Sequence, residues 1–156
     1  MELDAARDRA LTLMRQHGLS DWHFRFDRAR RRLGSCHYGQ RTLTLSEPLT
    51  LLNDAAVIED TLLHEIAHAL TPGAGHGPRW RTVARQLGAT PRACVSASSV
   101  VVPRARYALV CDGCGARLPR YRRPRTRLVC RSCFERHRRG NGPAPRALRL
   151  VETLER

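Results

Sequence analysis

The sequence from Thr61 to Trp80 reads T-L-L-H-E-I-A-H-A-L-T-P-G-A-G-H-G-P-R-W. It contains the pattern H-E-x-x-H, and residues four apart share one face of a helix, so His64 and His68 can bind one ion. Glu65 follows His64 directly and can reach a water molecule on that ion. The alternative is a helix that carries two histidines and a glutamate by chance. An apolar stripe at helical spacing argues for a packed helix; its members are Ile58, Leu62, Ile66 and Ala69.

A catalytic zinc ion needs three protein ligands and one open position, and His76 is the candidate for the third ligand. Residues 72–75, P-G-A-G, cannot continue a helix, so the chain must turn there and can bring His76 back. Pro78 then opens a second helix, which we expect to end at Gly88. Trp80 is expected to pack on the buried side of that helix and to hold the turn against the first helix.

The pattern H-E-x-x-H, the helix break and the run H-G-P-R-W together resemble the SprT-like metalloprotease family, whose eukaryotic relatives include the Spartan protease. The resemblance implies a zinc ion held by His64, His68 and His76. It also implies that Glu65 is the general base. A C-terminal zinc-binding part and proteolysis of DNA-associated or DNA-crosslinked proteins belong to the same expectation. The resemblance is most specific within residues 62–80.

The sequence predicts an α+β fold, in which a small helix-plus-sheet zinc-metalloprotease domain over residues 1–103 is followed by a four-cysteine zinc ribbon. The ribbon is expected over residues 104–142, with a C-terminal tail over 143–156. Residues 2–17 predict an amphipathic helix, and 22–26, 33–38 and 41–45 predict strands, the last two as a hairpin. In zinc proteases of this plan a strand beside the site pairs with the extended substrate. The resemblance favours the strand at 41–46 for that role, and an ordinary core strand is the alternative.

Four of the six cysteines form the pattern C-x2-C-x15-C-x2-C, a spacing typical of a four-cysteine zinc site. Each pair follows a strand-like run, so we expect two knuckles at the ends of two hairpins, folded by the metal. A redox dithiol pair is the alternative. Cys36 and Cys94 are expected to be small buried hydrophobic residues. The chain is therefore predicted to bind one catalytic and one structural Zn²⁺, the latter through Cys111, Cys114, Cys130 and Cys133.

The charge of the chain is concentrated in its C-terminal third. The net charge of +14 comes entirely from arginine, since the chain contains no lysine. Residues 1–103 hold 13 arginines against 10 acidic residues, an excess of +3, and residues 104–156 hold 15 against 4, an excess of +11. Such a basic segment indicates a nucleic-acid partner first and an acidic membrane second. High-GC coding would also enrich arginine without a functional reason.

The stretch between the two cysteine pairs carries the predicted nucleic-acid contacts. Arginine pairs with phosphate, and an exposed aromatic ring stacks on an unpaired base. The resemblance to the SprT-like family implies that the partner is DNA, single-stranded or distorted, together with the protein substrates on it. Tyr121 or Phe134 could instead cover the small core of the ribbon. The predicted contacts are Arg120, Tyr121, Arg122, Arg123, Arg125 and Arg127.

Three functions are compatible with these patterns. The first is a zinc endopeptidase tethered to DNA, for which no residue can be identified from the sequence as the oxyanion stabiliser. The second is a non-enzymatic nucleic-acid-binding zinc protein with a structural three-histidine site. The third is a metalloprotease whose targets are chosen by protein contacts. The sequence shows no apolar run of membrane-spanning length and no secretory layout, and its cysteines fit a reducing compartment, which predicts the cytoplasm or nucleoid.

Overall fold

The structure is a computed structural model that describes residues 1–92 and 100–153. Two compact units divide the chain, Met1–Pro103 and Arg104–Arg156. Cys94, for which the sequence predicts burial, lies outside the described residues. None of the helices in the described part of the chain is long and apolar enough to cross a membrane.

The helices of the first unit begin and end largely where local signals predict. They are α1 (Leu3–Gln16), α2 (Glu47–Leu52), α3 (Ala55–Leu70) and α4 (Pro78–Leu87). Asp54 precedes α3, and its carboxylate accepts a hydrogen bond from a backbone N–H of the first turn. α4 begins at Pro78 and is followed by Gly88 in the left-handed conformation, with φ of 86°. The sequence did not predict α2, which Ser46 caps through its hydroxyl.

A three-stranded sheet packs against these helices. Its strands are β1 (His23–Asp27), β2 (Gly34–His37) and β3 (Thr42–Ser46), in the order β1-β3-β2. β2 pairs antiparallel with β3 through the short 3₁₀ turn Tyr38–Gln40, which confirms the predicted hairpin, and β1 pairs parallel with β3. Because β3 has a neighbour on both sides, it has no free edge. The expectation that the strand at 41–46 pairs with a substrate is therefore wrong.

The core of the first unit lies between the sheet and the helices. All five residues of β3 are buried because the strand is covered on both sides and both faces. The predicted stripe of α3 is confirmed, since its four apolar residues are at most 9% exposed. The largest contributors to this core are Met14, Leu43, Leu45, Leu49, Ile58, Leu62, Ile66 and Trp80.

The second unit is a small antiparallel sheet with one helix. It contains β4 (Tyr107–Val110), β5 (Arg117–Arg120), α5 (Arg131–Arg138) and β6 (Arg149–Glu152), with the strand order β5-β4-β6. The first cysteine pair lies in the turn between β4 and β5, as predicted. Cys130 occupies the N-cap position of α5 without a capping hydrogen bond from its side chain, and Cys133 lies in the first turn of that helix. The prediction of a second hairpin is therefore wrong. The reason is that residues 128–129 bond with residues 147–148, far along the chain, instead of with a neighbouring strand.

Candidate functional site

Helix α3 presents three polar side chains on the side that faces β2. His64 and His68 lie four residues apart, and their rings are 5.0 Å apart between centroids. Glu65 points between α3 and β2, where it is only 8% exposed. Gly34 of β2 passes so close that a Cβ atom there would lie 3.0 Å from Cγ of Glu65. The close approach of strand and helix thus encloses the carboxylate.

The turn between α3 and α4 returns the chain to the end of α3. The N–H of Thr71 donates to the carbonyl of His68, and the Thr71 hydroxyl donates to the carbonyl of Ala67. Gly73 and Gly75 have φ of 76° and 52°, values that glycine adopts without a steric penalty. This left-handed path brings His76 back beside the histidines of the helix.

The three imidazole rings converge on one point. Nε2 of His76 lies 3.2 Å from Nε2 of His64 and 3.0 Å from Nε2 of His68. Nε2 of His76 carries either a proton or a lone pair, so it can form a hydrogen bond with only one of these two nitrogen atoms at a time. A cation satisfies all three lone pairs, and two ligands of a tetrahedral zinc ion lie about 3.3 Å apart. The geometry therefore fits a metal ion held by three histidines.

Trp80 of α4 supports this trio from behind. The indole ring is fully buried and lies 4.7, 5.2 and 4.6 Å from the rings of His64, His68 and His76. Its Nε1 atom has no hydrogen-bond partner in the described part of the chain. Trp80 therefore contributes by packing, as the sequence predicts, and its indole N–H forms no hydrogen bond with a described residue.

The histidines of α3 are neutral at pH 7. Burial, followed by the charges of His68 and His76, lowers the pKa of His64 to about 4. Burial and the charge of His76 lower the pKa of His68 to about 4. Because a metal ion binds the neutral imidazole, both side chains are ready to act as ligands without losing a proton.

The pKa of Glu65 is raised, whereas the pKa values of the two helix histidines are lowered. Burial raises the pKa of its carboxyl group to about 7, although the charge of Arg32 and a hydrogen bond from the N–H of Cys36 lower it. A carboxyl group with a pKa near neutrality can both accept and donate a proton under physiological conditions. Glu65 therefore places a carboxyl group with a pKa near neutrality in the same cleft as the three imidazoles.

A cleft of about 460 Å³ opens in front of these groups. Cys36 lines it and is half-buried, less covered than predicted, although it packs against the core. Burial, and then the charge of Glu65, raises the pKa of the Cys36 thiol to about 12, so it stays protonated.

Tyr38 lines the same cleft and was missed by the sequence analysis. The sequence feature that could have pointed to Tyr38 is its place directly after β2. That place indicates a position in the cleft only once the strand order shows that β2 is the edge strand.

The four cysteines of the second unit form a separate cluster. Sγ of Cys111 lies 3.7 Å from Sγ of Cys133, and Sγ of Cys114 lies 3.6 Å from Sγ of Cys130. Four thiolates around a zinc ion lie about 3.8 Å apart, so this cluster also fits the metal. Arg136 donates a hydrogen bond to Sγ of Cys133 at 3.1 Å, a contact that orients this side chain within the cluster.

The predicted nucleic-acid contacts lie on β5 and on the loop that follows it. Arg123 donates to the carboxylate of Glu152 and lies over the ring of Tyr107, so it is already engaged. Arg120 and Tyr121 are half-buried. The remaining three arginines are exposed and form no ion pair or side-chain hydrogen bond with any described residue; they are Arg122, Arg125 and Arg127.

A helix-borne H-E-x-x-H, a third imidazole from the following turn and a buried carboxyl group beside them define the centre of a zinc metallopeptidase. The profile of the SprT-like family matches residues 6–99, well over half of the chain. The chain therefore belongs to the SprT-like family.

No curated protein sequence matches this chain. Among solved structures, the chain is similar to the metallopeptidase zymogen jannalysin of Methanocaldococcus jannaschii, with 15% sequence identity and a TM-score of 0.47. That similarity covers 60% of this chain and 85% of the jannalysin chain.

Proposed function

We propose that the chain is a zinc-dependent endopeptidase that acts on proteins associated with DNA or crosslinked to it. The observation that carries the proposal is the convergence of three imidazoles at the wall of an open cleft. A structural zinc site is closed by four protein ligands, as in the cysteine cluster of the second unit. Three ligands beside a cleft leave a position for water or substrate, which favours hydrolysis over a purely structural role.

In this mechanism His64, His68 and His76 hold the metal ion. Bound zinc supplies a Lewis acid that activates water and polarises the scissile carbonyl group. Glu65 accepts the proton of the attacking water at a carboxylate oxygen and returns it to the nitrogen of the leaving amine. The raised pKa of Glu65 suits both halves of this exchange.

The substrate backbone is placed along β2. This strand pairs with β3 on one side, and three of its residues, Gly34, Ser35 and Cys36, line the cleft. An extended peptide can add to the edge of a sheet as a further strand through main-chain hydrogen bonds. β2 therefore takes the role for which the resemblance favoured the strand at 41–46.

The second unit is proposed to bind single-stranded or distorted DNA and to bring the protease to its protein substrates. Support comes from the excess charge of +11 over residues 104–156, from 15 arginines against 4 acidic residues. Exposed arginines that have no ion-pair partner among the described residues are available to phosphate groups. A cytoplasmic or nucleoid location is part of the same proposal.

The enzymatic part is tested with Glu65→Gln. The amide keeps the shape of the side chain but cannot accept the proton, so we expect full zinc content and a loss of cleavage. Metal analysis and cleavage of an unfolded protein substrate measure the two properties together. Full activity in the zinc-loaded variant would defeat the assignment of Glu65. DNA binding without any cleavage by the wild-type chain would favour the non-enzymatic function.

The DNA-binding part is tested by replacing Arg122, Arg125 and Arg127 together with glutamine. We expect weaker binding to single-stranded DNA, and a slope of log K against log salt shallower by about 2, because about 0.7 counterions are released per phosphate contact. Cleavage stimulated by DNA should fall, while cleavage of a free peptide remains.

The matched control for charge removes three exposed arginines of the first unit, Arg15, Arg81 and Arg85. If this control weakens DNA binding as much as the first variant, the loop is not the specific contact. If no nucleic acid stimulates cleavage at any salt concentration, the DNA part is wrong, and target choice by protein contacts is favoured.

A further inference from the structure

The proposed reaction requires a hydrogen-bond donor that the zinc ligands and Glu65 do not provide. When water attacks a peptide carbonyl group, negative charge develops on its oxygen, and a preorganised donor aimed at that oxygen accelerates the step. His64, His68 and His76 are committed to the metal, and Glu65 is committed to the proton of the water. The donor must come from another residue beside the cleft.

Few of the described residues that line the cleft offer such a donor. Three of them are glycines without a side chain, and the thiol of Cys36 is a weak donor. The hydroxyl group of Ser35 is engaged elsewhere, since it lies 2.9 Å from Oγ1 of Thr44 and 2.8 Å from Nε2 of His37. Among the described residues of the cleft wall, Tyr38 alone remains as a side chain with a neutral O–H donor.

The position of Tyr38 suits this role. It directly follows β2, the proposed substrate strand, and begins the 3₁₀ turn. Its carbonyl oxygen accepts the N–H of Arg41 at 3.0 Å, which closes that turn and fixes the backbone. The side chain remains 40% exposed, so its hydroxyl group is accessible from the cleft.

The hydrogen bond that Tyr38 makes in the structure can be given up at little cost. Its hydroxyl group donates to the carbonyl oxygen of His68 at 3.0 Å. The same carbonyl oxygen also accepts the N–H of Thr71 at 3.0 Å. If the tyrosine turns away, the carbonyl group keeps a partner, and no buried polar atom is left unsatisfied.

From these contacts we infer that Tyr38 is a further catalytic residue, whose hydroxyl group leaves the carbonyl of His68 and donates to the scissile carbonyl oxygen as that oxygen becomes negative. The hydrogen bond stabilises the developing charge without transferring a proton. The inference rests on the proposed peptidase function and supplies the oxyanion stabiliser that sequence patterns alone could not identify.

The test compares Tyr38→Phe with the wild-type chain, both loaded with zinc. Loss of one oxyanion donor costs about 100- to 1,000-fold in kcat, and we expect a loss in this range with KM changed less than about threefold. A phosphinic peptide, which mimics the tetrahedral transition state, should bind more weakly by a factor similar to the loss in kcat. Binding of a cleavage-product peptide, which lacks that charge, should be unchanged.

Tyr107→Phe serves as the matched control, because it removes the hydroxyl group of a buried tyrosine in the second unit, outside the cleft. It should leave cleavage of a short peptide unchanged in the absence of nucleic acid. A purely structural role for Tyr38 predicts reduced zinc content or a lower melting temperature, with equal losses in both binding measurements. That result, or unchanged kcat and unchanged phosphinate affinity, would overturn the inference. A wild-type chain that binds zinc yet cleaves nothing would instead overturn the peptidase function itself, and this inference with it.

Discussion

The indole ring of Trp80 lies 4.6 Å from the imidazole ring of His76, almost perpendicular to it, with an angle of 88° between the planes. Trp80 belongs to α4 and His76 to the turn before it, so the contact fixes the third imidazole relative to the helix that follows. The same indole ring touches both histidines of α3. One buried side chain therefore sets the mutual position of all three imidazoles.

This contact makes Trp80 a determinant of metal affinity. Trp80→Ala should lower the free energy of unfolding by about 3–5 kcal/mol, because it leaves a large cavity. Trp80→Phe should cost no more than about 2 kcal/mol, since it fills much of the space and removes the unsatisfied Nε1 atom. We expect zinc affinity to fall about 10- to 100-fold in Trp80→Phe, as for other residues that orient metal ligands.

Urea unfolding of the metal-free chain and competition with a zinc chelator measure these two effects. The control is Trp22→Phe, at a half-buried position in the same unit. Equal zinc affinity in the wild-type chain and Trp80→Phe would show that the imidazoles are positioned without the indole ring.

The close approach of β2 to α3 makes Gly34 sensitive to any side chain. A Cβ atom there would lie 2.9 Å from Cγ2 of Thr61, 3.0 Å from Cγ of Glu65 and 3.1 Å from the carbonyl oxygen of Thr44. Gly34→Ala should therefore cost about 1–3 kcal/mol of stability. It should also lower kcat by about tenfold or more, because the carboxylate of Glu65 is displaced.

Gly39→Ala is the control for Gly34→Ala, since nothing lies within 4 Å of a Cβ atom built at that position. Thermal melting and peptide cleavage report the two effects. If Gly34→Ala behaves like Gly39→Ala in both, the strand is free to move away from the helix, and the enclosure of Glu65 is not rigid.

Asp27 should make the first unit sensitive to acid. Burial raises the pKa of Asp27, but hydrogen bonds from the N–H of Ala29 and the hydroxyl of Thr44, and the charge of Arg32, outweigh it, so the pKa falls below its ordinary value of 3.8. A lowered pKa means that the ionised carboxylate stabilises the fold above pH 3.8, and that this contribution disappears as the pH drops through the lowered pKa.

Asp27→Asn should accordingly lower the free energy of unfolding by about 1–3 kcal/mol at pH 7. The difference from the wild-type chain should shrink below about pH 4 and vanish once Asp27 is protonated. Urea unfolding between pH 7 and pH 3 measures it. Asp4→Asn, at an exposed carboxylate whose one ion-pair partner in the described part of the chain is Arg7, should change little. A difference that does not vary with pH would mean that the charge of Asp27 plays no part.

Removal of metal from the cysteine cluster should unfold the second unit alone. The described part of this unit buries few apolar side chains, so zinc binding, worth about 10–16 kcal/mol in small zinc domains, supplies most of its stability. We expect Cys133→Ser to abolish dispersed NMR signals from residues 104–153, while the signals of the first unit persist. Cys36→Ser, outside the cluster, should leave the second unit intact. A folded second unit in the Cys133→Ser variant would show that its sheet is stable without metal.

Local patterns in the sequence were sufficient to predict much of the fold and the two groups of histidine and cysteine side chains that converge in it. The spacing of His64 and His68 on one helix face and the stop at Gly88 each depend on neighbours within a few residues. The C-x2-C spacings are likewise local. Predictions that rest on such short-range physics agree with the structure because the interactions involve one turn of helix or one tight loop.

What the sequence determined by itself was which histidines and cysteines come together and which helices carry the histidines, because periodicity, caps and breakers act over one or two turns. Only the tertiary structure decided that β3 is central and β2 is the edge, that Cys130 begins a helix and that Tyr38 lines the cleft. Strand order and long-range pairing depend on which distant segments bury each other's surfaces. A two-residue alternation shows which side chains of a strand are buried, but not which strand pairs with it. The edge strand and the tyrosine beside it could therefore be identified only in the folded structure.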